Sequence, residues 1–203
     1  MILFAAGSAI WGFEQPQRDA EVAEIVSFYE ETSTEILIGG TMSIVSVIFL
    51  VWFGAVLRGW LTQAEGAERS GLPLVAFGGA VLTAAVGLGA ETINMAGAMR
   101  SEDGELTAGT AQVYFDVSFM FGYPAAGVAI AAMAAPLAMI AVRERLVLLS
   151  SLSWLAVAVA LVMVIPPISL VGPLYAVLLV LGGTLSVWIY RQPAGPARPA
   201  EQR

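Results

Sequence analysis

Glu91 is an ionisable residue inside a long apolar stretch, where a carboxyl group can bind a proton or a cation. Gly79, Thr83 and Gly87 precede it at intervals of four residues. Such a small-residue stripe lets helix backbones approach closely, so it predicts that Glu91 points into a helix bundle rather than at lipid. Asn94 follows one turn later on roughly the same side. A purely structural salt bridge or hydrogen bond at Glu91 is the alternative.

Other polar residues are expected near the depth of Glu91, where they would form an acidic, tyrosine-lined mouth. Asp116 and Glu35 begin neighbouring helices, and Tyr123 follows Asp116 at near-helical spacing. Simpler explanations are a capping role for Glu35, an interfacial role for Tyr123, and solvation of Asp116 or its pairing with Arg100. The candidate polar site therefore comprises Glu91, Asn94, Asp116, Tyr123, Glu35 and Arg100.

Several classes of chemistry are excluded by residue content. The chain has no Cys and no His, which removes thiolate nucleophiles, His-ligated haem and the usual zinc and copper sites. It has no nucleophile elbow, phosphate-binding loop or zinc-protease motif. An aspartyl mechanism needs two carboxylates in one site, and nothing marks Glu91 and Asp116 as such a pair. The sequence thus predicts no catalytic residue, metal or cofactor, and its sparse arginines predict no nucleic-acid partner.

The elements that position these residues are membrane-spanning helices. The chain has 203 residues, of which 58% are hydrophobic and 12% charged. Soluble proteins carry about 25% charged residues. Several stretches are also long enough to cross a hydrocarbon layer of about 30 Å. The predicted fold class is an all-α polytopic transmembrane bundle, with five full spans and a short N-terminal apolar helix in a single domain, 1–190.

The apolar stretches set the predicted helix bounds. Residues 2–13 are too short to span, which predicts a short or tilted helix or one that begins upstream of Met1. Residues 191–203 are a tail rich in Pro, Ala and Arg, predicted to be flexible. The predicted helices are 2–13, 36–57, 72–98, 112–141, 146–165 and 171–190, with a kink at Pro124 because proline lacks the N–H that would bond to residue 120.

A polar segment separates the first two of these helices. Residues 19–31 carry Val22, Ile25, Val26 and Tyr29 at helical spacing, which predicts an amphipathic helix against the outer face of the bundle. Residues 32–35 (TSTE) have the form of a capping box, so a new membrane helix is expected to begin there.

The distribution of arginine predicts the orientation. Alternating the helices places seven arginines on one side and two on the other. By the positive-inside rule, the C-terminus is cytoplasmic, and 14–35 and 99–111 are extracytoplasmic. Twelve acidic residues and two arginines then give the outer side a charge of about −10, against a formal −7 for the whole chain. The predicted location is the cytoplasmic (inner) membrane of a bacterium.

Residues 23–29 (AEIVSFY) resemble a motif, A-E-I-x-x-[FY]-Y, found in a large group of small bacterial membrane proteins with about six helices. In that group, an acidic outer segment follows the first helix and runs directly into the second. The resemblance implies the fold and carries no activity.

Three functional hypotheses follow. The first is a non-enzymatic accessory subunit or binding module with an acidic extracytoplasmic face. Its partners would be the lipid bilayer and a membrane protein or a second copy of itself. The second is a small transporter or channel that uses Glu91 for a proton or cation. The third is a membrane-embedded enzyme acting on lipid.

Overall fold

The computed structural model describes residue 10 and residues 15–17, 19–65 and 70–164. The predicted helix 171–190, the tail, and nearly all of 2–13 lie outside the described residues. Within the described part the protein is helical, with no strand. The helices are α1 Val22–Glu65, α2 Leu72–Glu102, α3 Ala108–Met120, α4 Ala126–Arg143 and α5 Val147–Val162, and a π-helical turn, Phe121–Ala125, joins α3 to α4.

Three of the described segments are long and apolar enough to cross a membrane: Val22–Glu65, Leu72–Glu102 and Ala108–Arg143. This confirms the all-α class and the presence of helices suited to a membrane. α5 has 16 residues, which at 1.5 Å per residue is about 24 Å and short of a full crossing. Five full spans therefore stay a prediction.

The predicted boundary between a helix over 19–31 and a new helix after residues 32–35 coincides with a kink at Thr32, across which two helical segments join as α1. The predicted capping box does not form at this kink. A capping box needs unpaired N–H groups at a helix start, but here the preceding turn already supplies the carbonyl acceptors. The Thr32 hydroxyl instead donates to the Phe28 carbonyl, and Thr32 leaves helical geometry at φ −118°, ψ 16°. Back-bonding of this kind bends helices. The segment predicted as a separate external helix, 19–31, thus supplies the first turns of α1, which is kinked where the predicted boundary lay.

The other bounds differ by smaller amounts. α2 continues four residues beyond the predicted 98, and the helix predicted over 112–141 extends over Ala108–Arg143. Its start is fixed by a capping box of Thr107 and Thr110, whose side chains bond reciprocally to the first-turn backbone. Pro124 lies inside the π turn. The missing proline N–H is therefore accommodated by a locally wider helix, and the backbone N–H of Ala126 bonds to the Phe121 carbonyl, five residues back.

α2 is the central helix, packed against α1, α3, the π turn and α4, while α5 packs on α4. Two apolar clusters mark the ends of the bundle. The first, at the acidic end, joins the start of α1 to the end of α2 and the start of α3 through Ile25, Phe28, Tyr29, Ile36, Ala98, Ala111 and Phe115. The second lies at the opposite end, called here the arginine end because α1 carries Arg58 and α4 ends at Arg143 there. It consists of Leu57, Leu61, Ala76, Leu137, Ile140, Ala141 and Leu149.

α1 is apolar on the outside and small or polar on the inside. Between the two clusters its buried residues are Gly39, Gly40, Ser43, Ser46 and Gly54, whereas Ile38, Val45, Ile48, Phe49, Trp52 and Val56 are exposed. Trp52 has 70% of its surface exposed. This arrangement suits a helix whose outer face meets lipid and whose inner face packs closely on a neighbour.

The glycines mark where helices touch. A Cβ on Gly79 would lie 2.3 Å from the backbone nitrogen of Met133 in α4. One on Gly54 would lie 2.5 Å from Ala80 Cβ, and one on Gly127 2.5 Å from the carbonyl oxygen of Ala160. At these glycines α1 approaches α2, α2 approaches α4, and α4 approaches α5 closely.

Candidate functional site

A polar layer lies between the two apolar clusters, where α1 and α2 face each other. It consists of Ser43 on the small-residue face of α1 and of Glu91 and Asn94 on α2, one turn apart. All three are buried. The layer exists because α1 presents Gly and Ser here instead of large apolar side chains, which leaves room for a carboxyl and an amide between the helices.

Glu91 is the ionisable residue of the layer. Only 5% of its surface is exposed, so it is buried as the small-residue stripe predicted. A Cβ on Gly40 of α1 would lie 3.5 Å from Glu91 Oε2, so the carboxyl sits directly against the α1 backbone. Ser43 is the neighbouring hydroxyl on that helix. Neither Glu91 Oε2 nor Ser43 Oγ has a hydrogen-bond partner among the described residues.

Asn94 connects this layer to the acidic-end cluster. Its Oδ1 accepts a hydrogen bond of 2.8 Å from the hydroxyl of Tyr29, and both side chains are buried. Gly97 makes the contact possible, because a Cβ there would lie 2.7 Å from the Tyr29 ring. The amide nitrogen Nδ2 of Asn94 has no partner in the described part of the chain.

Tyr123 lies in the π turn, which packs against α2, the helix that carries Glu91. Its hydroxyl donates to Gln15 Oε1 at 3.0 Å, which ties the chain segment before α1 to the π turn. The rings of Phe119 and Tyr123 pack with centroids 4.5 Å apart. π turns inside α-helices are frequent at functional sites, since they turn side chains away from the regular helical phase.

The layer lies close to the acidic end of the bundle. The Ser118 hydroxyl of α3 donates to the carbonyl of Ala90 at 3.1 Å, which sets α3 level with Glu91. Asp116, two residues before Ser118, is exposed. Glu91 is therefore within about one helical turn of the level at which α3 carries an exposed carboxylate.

The other predicted site residues do not join the buried layer. Glu35 and Asp116 are both exposed on the surface of their helices. Arg100 is exposed too and forms an ion pair of 2.5 Å with Glu105. The structure thus buries Glu91 and Asn94 one turn apart on α2, and it places Tyr123 in the π turn that packs against the same helix.

Sequence reasoning missed Ser43 and Gln15 as parts of this site. The signal for Ser43 was available, because Gly39, Gly40, Ser43 and Ser46 share one face of α1 at helical spacing. Gln15 carried no such signal, since it precedes the helix and reaches Tyr123 across 108 positions of the chain.

The chemistry open to this layer is that of one carboxyl group with hydroxyl and amide donors beside it. Within residues 19–65 and 70–164, no three acidic side chains converge in a way that suits a metal ion. No second carboxyl lies in the layer among these residues. Proton binding or hydrogen bonding to a small polar molecule is the chemistry that such a group supports. No protein-family model, curated protein or solved structure matches this chain.

Proposed function

We propose that this chain is a non-enzymatic, multi-pass protein of the cytoplasmic membrane that serves as an accessory subunit or binding module and presents an acidic extracytoplasmic face to a cationic partner. The observation that carries the proposal is the surface at the acidic end of the bundle. Ten acidic side chains there are exposed: Asp19, Glu21, Glu24, Glu30, Glu31, Glu35, Glu102, Asp103, Glu105 and Asp116.

This surface has little compensating charge in the described part of the chain. Arg100 is the basic residue found there, and Glu105 pairs with it. The start of α1, the end of α2 and the start of α3 are held together by the cluster around Tyr29 and Phe115, so their carboxylates lie on one connected surface. A one-signed surface of this kind attracts basic partners and raises their association rate.

Among the described residues no second carboxyl joins Glu91 in the layer, which favours the non-enzymatic proposal over a lipid-acting enzyme. An aspartyl mechanism requires two carboxyl groups in one site. Glu91 is buried, while Glu35 and Asp116 lie on exposed surfaces. The described residues therefore combine an exposed acidic surface with a single buried carboxyl.

Orientation is tested by cysteine labelling. Because seven of the nine arginines fall on one side of the predicted topology, we expect that side to be cytoplasmic. An impermeant maleimide applied to intact cells should label Gln17→Cys and leave Gln192→Cys unlabelled until the cells are permeabilised. The cysteine-free parent chain is the blank. Labelling of Gln192→Cys alone in intact cells would reverse the proposed topology.

The acidic face is tested by neutralising three exposed carboxylates on α1, in the variant Glu24→Gln/Glu31→Gln/Glu35→Gln. We expect cross-links from this face to its partner in native membranes to fall at least severalfold, and the partner to dissociate at raised salt, because exposed charge pairs are screened. Glu144→Gln, an exposed acid at the arginine end, is the matched control and should change nothing. Unchanged cross-linking of the triple variant at all salt concentrations would refute the docking face.

A further inference from the structure

A cavity of about 250 Å³ lies at the arginine end of the bundle, opposite the acidic face. Its walls are formed by Glu65 at the end of α1 and by Ile140, Arg143 and Glu144 at the end of α4. A water molecule occupies about 30 Å³ in the liquid, so the cavity has the volume of about eight waters. Pockets for drug-sized ligands are larger, at about 300–1,000 Å³. The size of the cavity therefore suits a small polar group.

Opposite charges line this cavity without pairing with each other. The Glu65 side chain is partly buried, and its carboxylate accepts a hydrogen bond from the Ser70 hydroxyl. Arg143 forms no ion pair within the described residues, although it shares the cavity with Glu65. A guanidinium and a carboxylate held apart on the walls of one cavity are complementary to a ligand that carries both an anionic and a cationic group.

The turn that follows α4 fixes the wall that carries Arg143. The backbone N–H of Leu146 bonds to the Ala141 carbonyl at 2.9 Å, and that of Arg145 bonds to the Val142 carbonyl at 3.1 Å. These are the two bonds of a Schellman motif, with Arg145 in the left-handed conformation at φ 56°. The carboxyl end of a helix also favours a cation nearby. The backbone of this wall is thus formed before any ligand arrives.

The cavity lies where the exposed helix surfaces change from apolar to polar. On α1 the change falls between Val56 and Arg58, which are both exposed. On α4 the exposed residues Met139 and Val142 come directly before Arg143. The arginine-end cluster holds these two stretches side by side. A change of this kind marks the depth at which the hydrocarbon layer meets the lipid headgroups.

Met139 indicates a lipid rather than a soluble ligand. It lies four residues before Arg143, and therefore on the same face of α4, and 41% of its surface is exposed. An acyl chain that leaves the cavity can follow this apolar surface toward the centre of the bilayer. Trp60 packs against the arginine-end cluster, and tryptophan is typical of the membrane–water interface. A soluble molecule with the same two charged groups would gain nothing from these apolar neighbours.

We propose that this cavity binds the headgroup of a phospholipid with a primary amine, its phosphate on Arg143 and its ammonium group on Glu65. A guanidinium presents paired N–H groups that match two phosphate oxygens. An ammonium group has three N–H donors for a carboxylate, whereas a quaternary amine has none. The cavity lies at the opposite end of the bundle from the acidic face, so the proposal is independent of the docking role of that face.

Native mass spectrometry of the full chain with added lipids tests the site. The probes are phosphatidylethanolamine, phosphatidylcholine and phosphatidylglycerol with identical acyl chains, offered at equal concentration. We expect the ethanolamine lipid to bind about tenfold more tightly than either of the others, because each of them lacks the N–H donors for Glu65. Equal binding of the three lipids overturns the proposal.

The free headgroup separates a lipid site from a site for a soluble molecule. Phosphoethanolamine carries the same two charged groups without acyl chains. Added at the same concentration as the bound lipid, it should leave that lipid in place. Displacement of the lipid under these conditions overturns the assignment to a phospholipid.

Substitution of the two charged residues tests their roles. In Glu65→Gln we expect the preference for the ethanolamine lipid over the glycerol lipid to disappear, and in Arg143→Gln we expect the binding of all three lipids to fall severalfold. Arg145→Gln changes an exposed arginine in the same turn that does not line the cavity, so it should bind lipid as the wild type does. Arg143→Lys keeps the charge but loses the paired donors, so weaker binding with the same preference is expected even if Arg143→Gln does not fold. Wild-type binding in Glu65→Gln and in either Arg143 variant overturns the assignment of these residues.

Discussion

Gly79→Ala is expected to destabilise the folded protein by about 1–3 kcal/mol, because the added methyl group would overpack the contact between α2 and α4. A Cβ at this position would lie 2.3 Å from Met133 N and 2.6 Å from Met133 Cα. Carbon contacts are ordinarily about 3.5–4.0 Å. The atoms in the way belong to the backbone, so no side-chain rotation relieves the clash and α4 itself must move.

The neighbouring glycine supplies the control. Gly78 is exposed on the same helix, and a Cβ there would meet nothing within 4 Å. Gly78→Ala should therefore be neutral or slightly stabilising, since alanine is favoured over glycine in helices by up to about 1 kcal/mol. Thermal unfolding of both variants in the same mild detergent makes the comparison. Equal midpoints for the two would contradict the close approach of α2 and α4.

Tyr29→Ala is expected to lower the free energy of unfolding by about 3–5 kcal/mol, the range found when large buried aromatic side chains are truncated. The Tyr29 ring is fully buried and fits against Gly97, and its hydroxyl donates to Asn94. Truncation removes the ring from the cluster at the acidic end and leaves the Asn94 side chain without its donor.

Tyr29→Phe separates the two contributions. It keeps the ring and removes the hydroxyl, so we expect the free energy of unfolding to fall by about 1–3 kcal/mol, which is the cost of a buried polar group left unpaired. Hydrogen exchange of the backbone shows where the loss occurs, and we expect fast exchange in residues 22–31 of Tyr29→Ala while the rest of α1 stays protected. Slow exchange of residues 22–31 in both variants would show that Tyr29 does not hold this segment on the bundle.

The helical class and the apolar spans could be predicted from composition alone. A hydrocarbon solvent cannot satisfy backbone N–H and C=O groups, so a long apolar stretch folds as a helix whatever its neighbours are. The positions of the helix ends were harder to predict, because side chains and neighbouring turns compete there for the same backbone hydrogen-bonding groups. The sequence 32–35 has the form of a capping box, but the turn before it is already helical and Thr32 bonds back to Phe28. A true box at Thr107 and Thr110 opens α3 because a turn with Gly104 at φ +68° precedes it.

The burial of Glu91 could be predicted because the periodicity of a helix is fixed by its own backbone, and the stripe from Gly79 onward lies on the side of α2 that faces other helices. Gly79 packs on α4, however, whereas Glu91 lies against α1. Which residues meet Glu91 could not be predicted in this way. Ser43 is 48 positions away along the chain, and its contact depends on the relative shift of α1 against α2, which packing at Gly40 and Gly54 sets. The phase of Tyr123 relative to Asp116 depended on the π turn around Pro124.

The sequence by itself thus determined what is local: the apolar stretches, the inward face of α2, and the excess of acidic residues near the ends of three helices. The tertiary structure alone decided which polar groups share the buried layer, that Glu35 and Asp116 are exposed outside it, and that three donor and acceptor atoms in it are left without partners. The physical reason is that helix formation follows from bonds between residues four apart, whereas the register and phase of packed helices follow from side-chain contacts between distant parts of the chain.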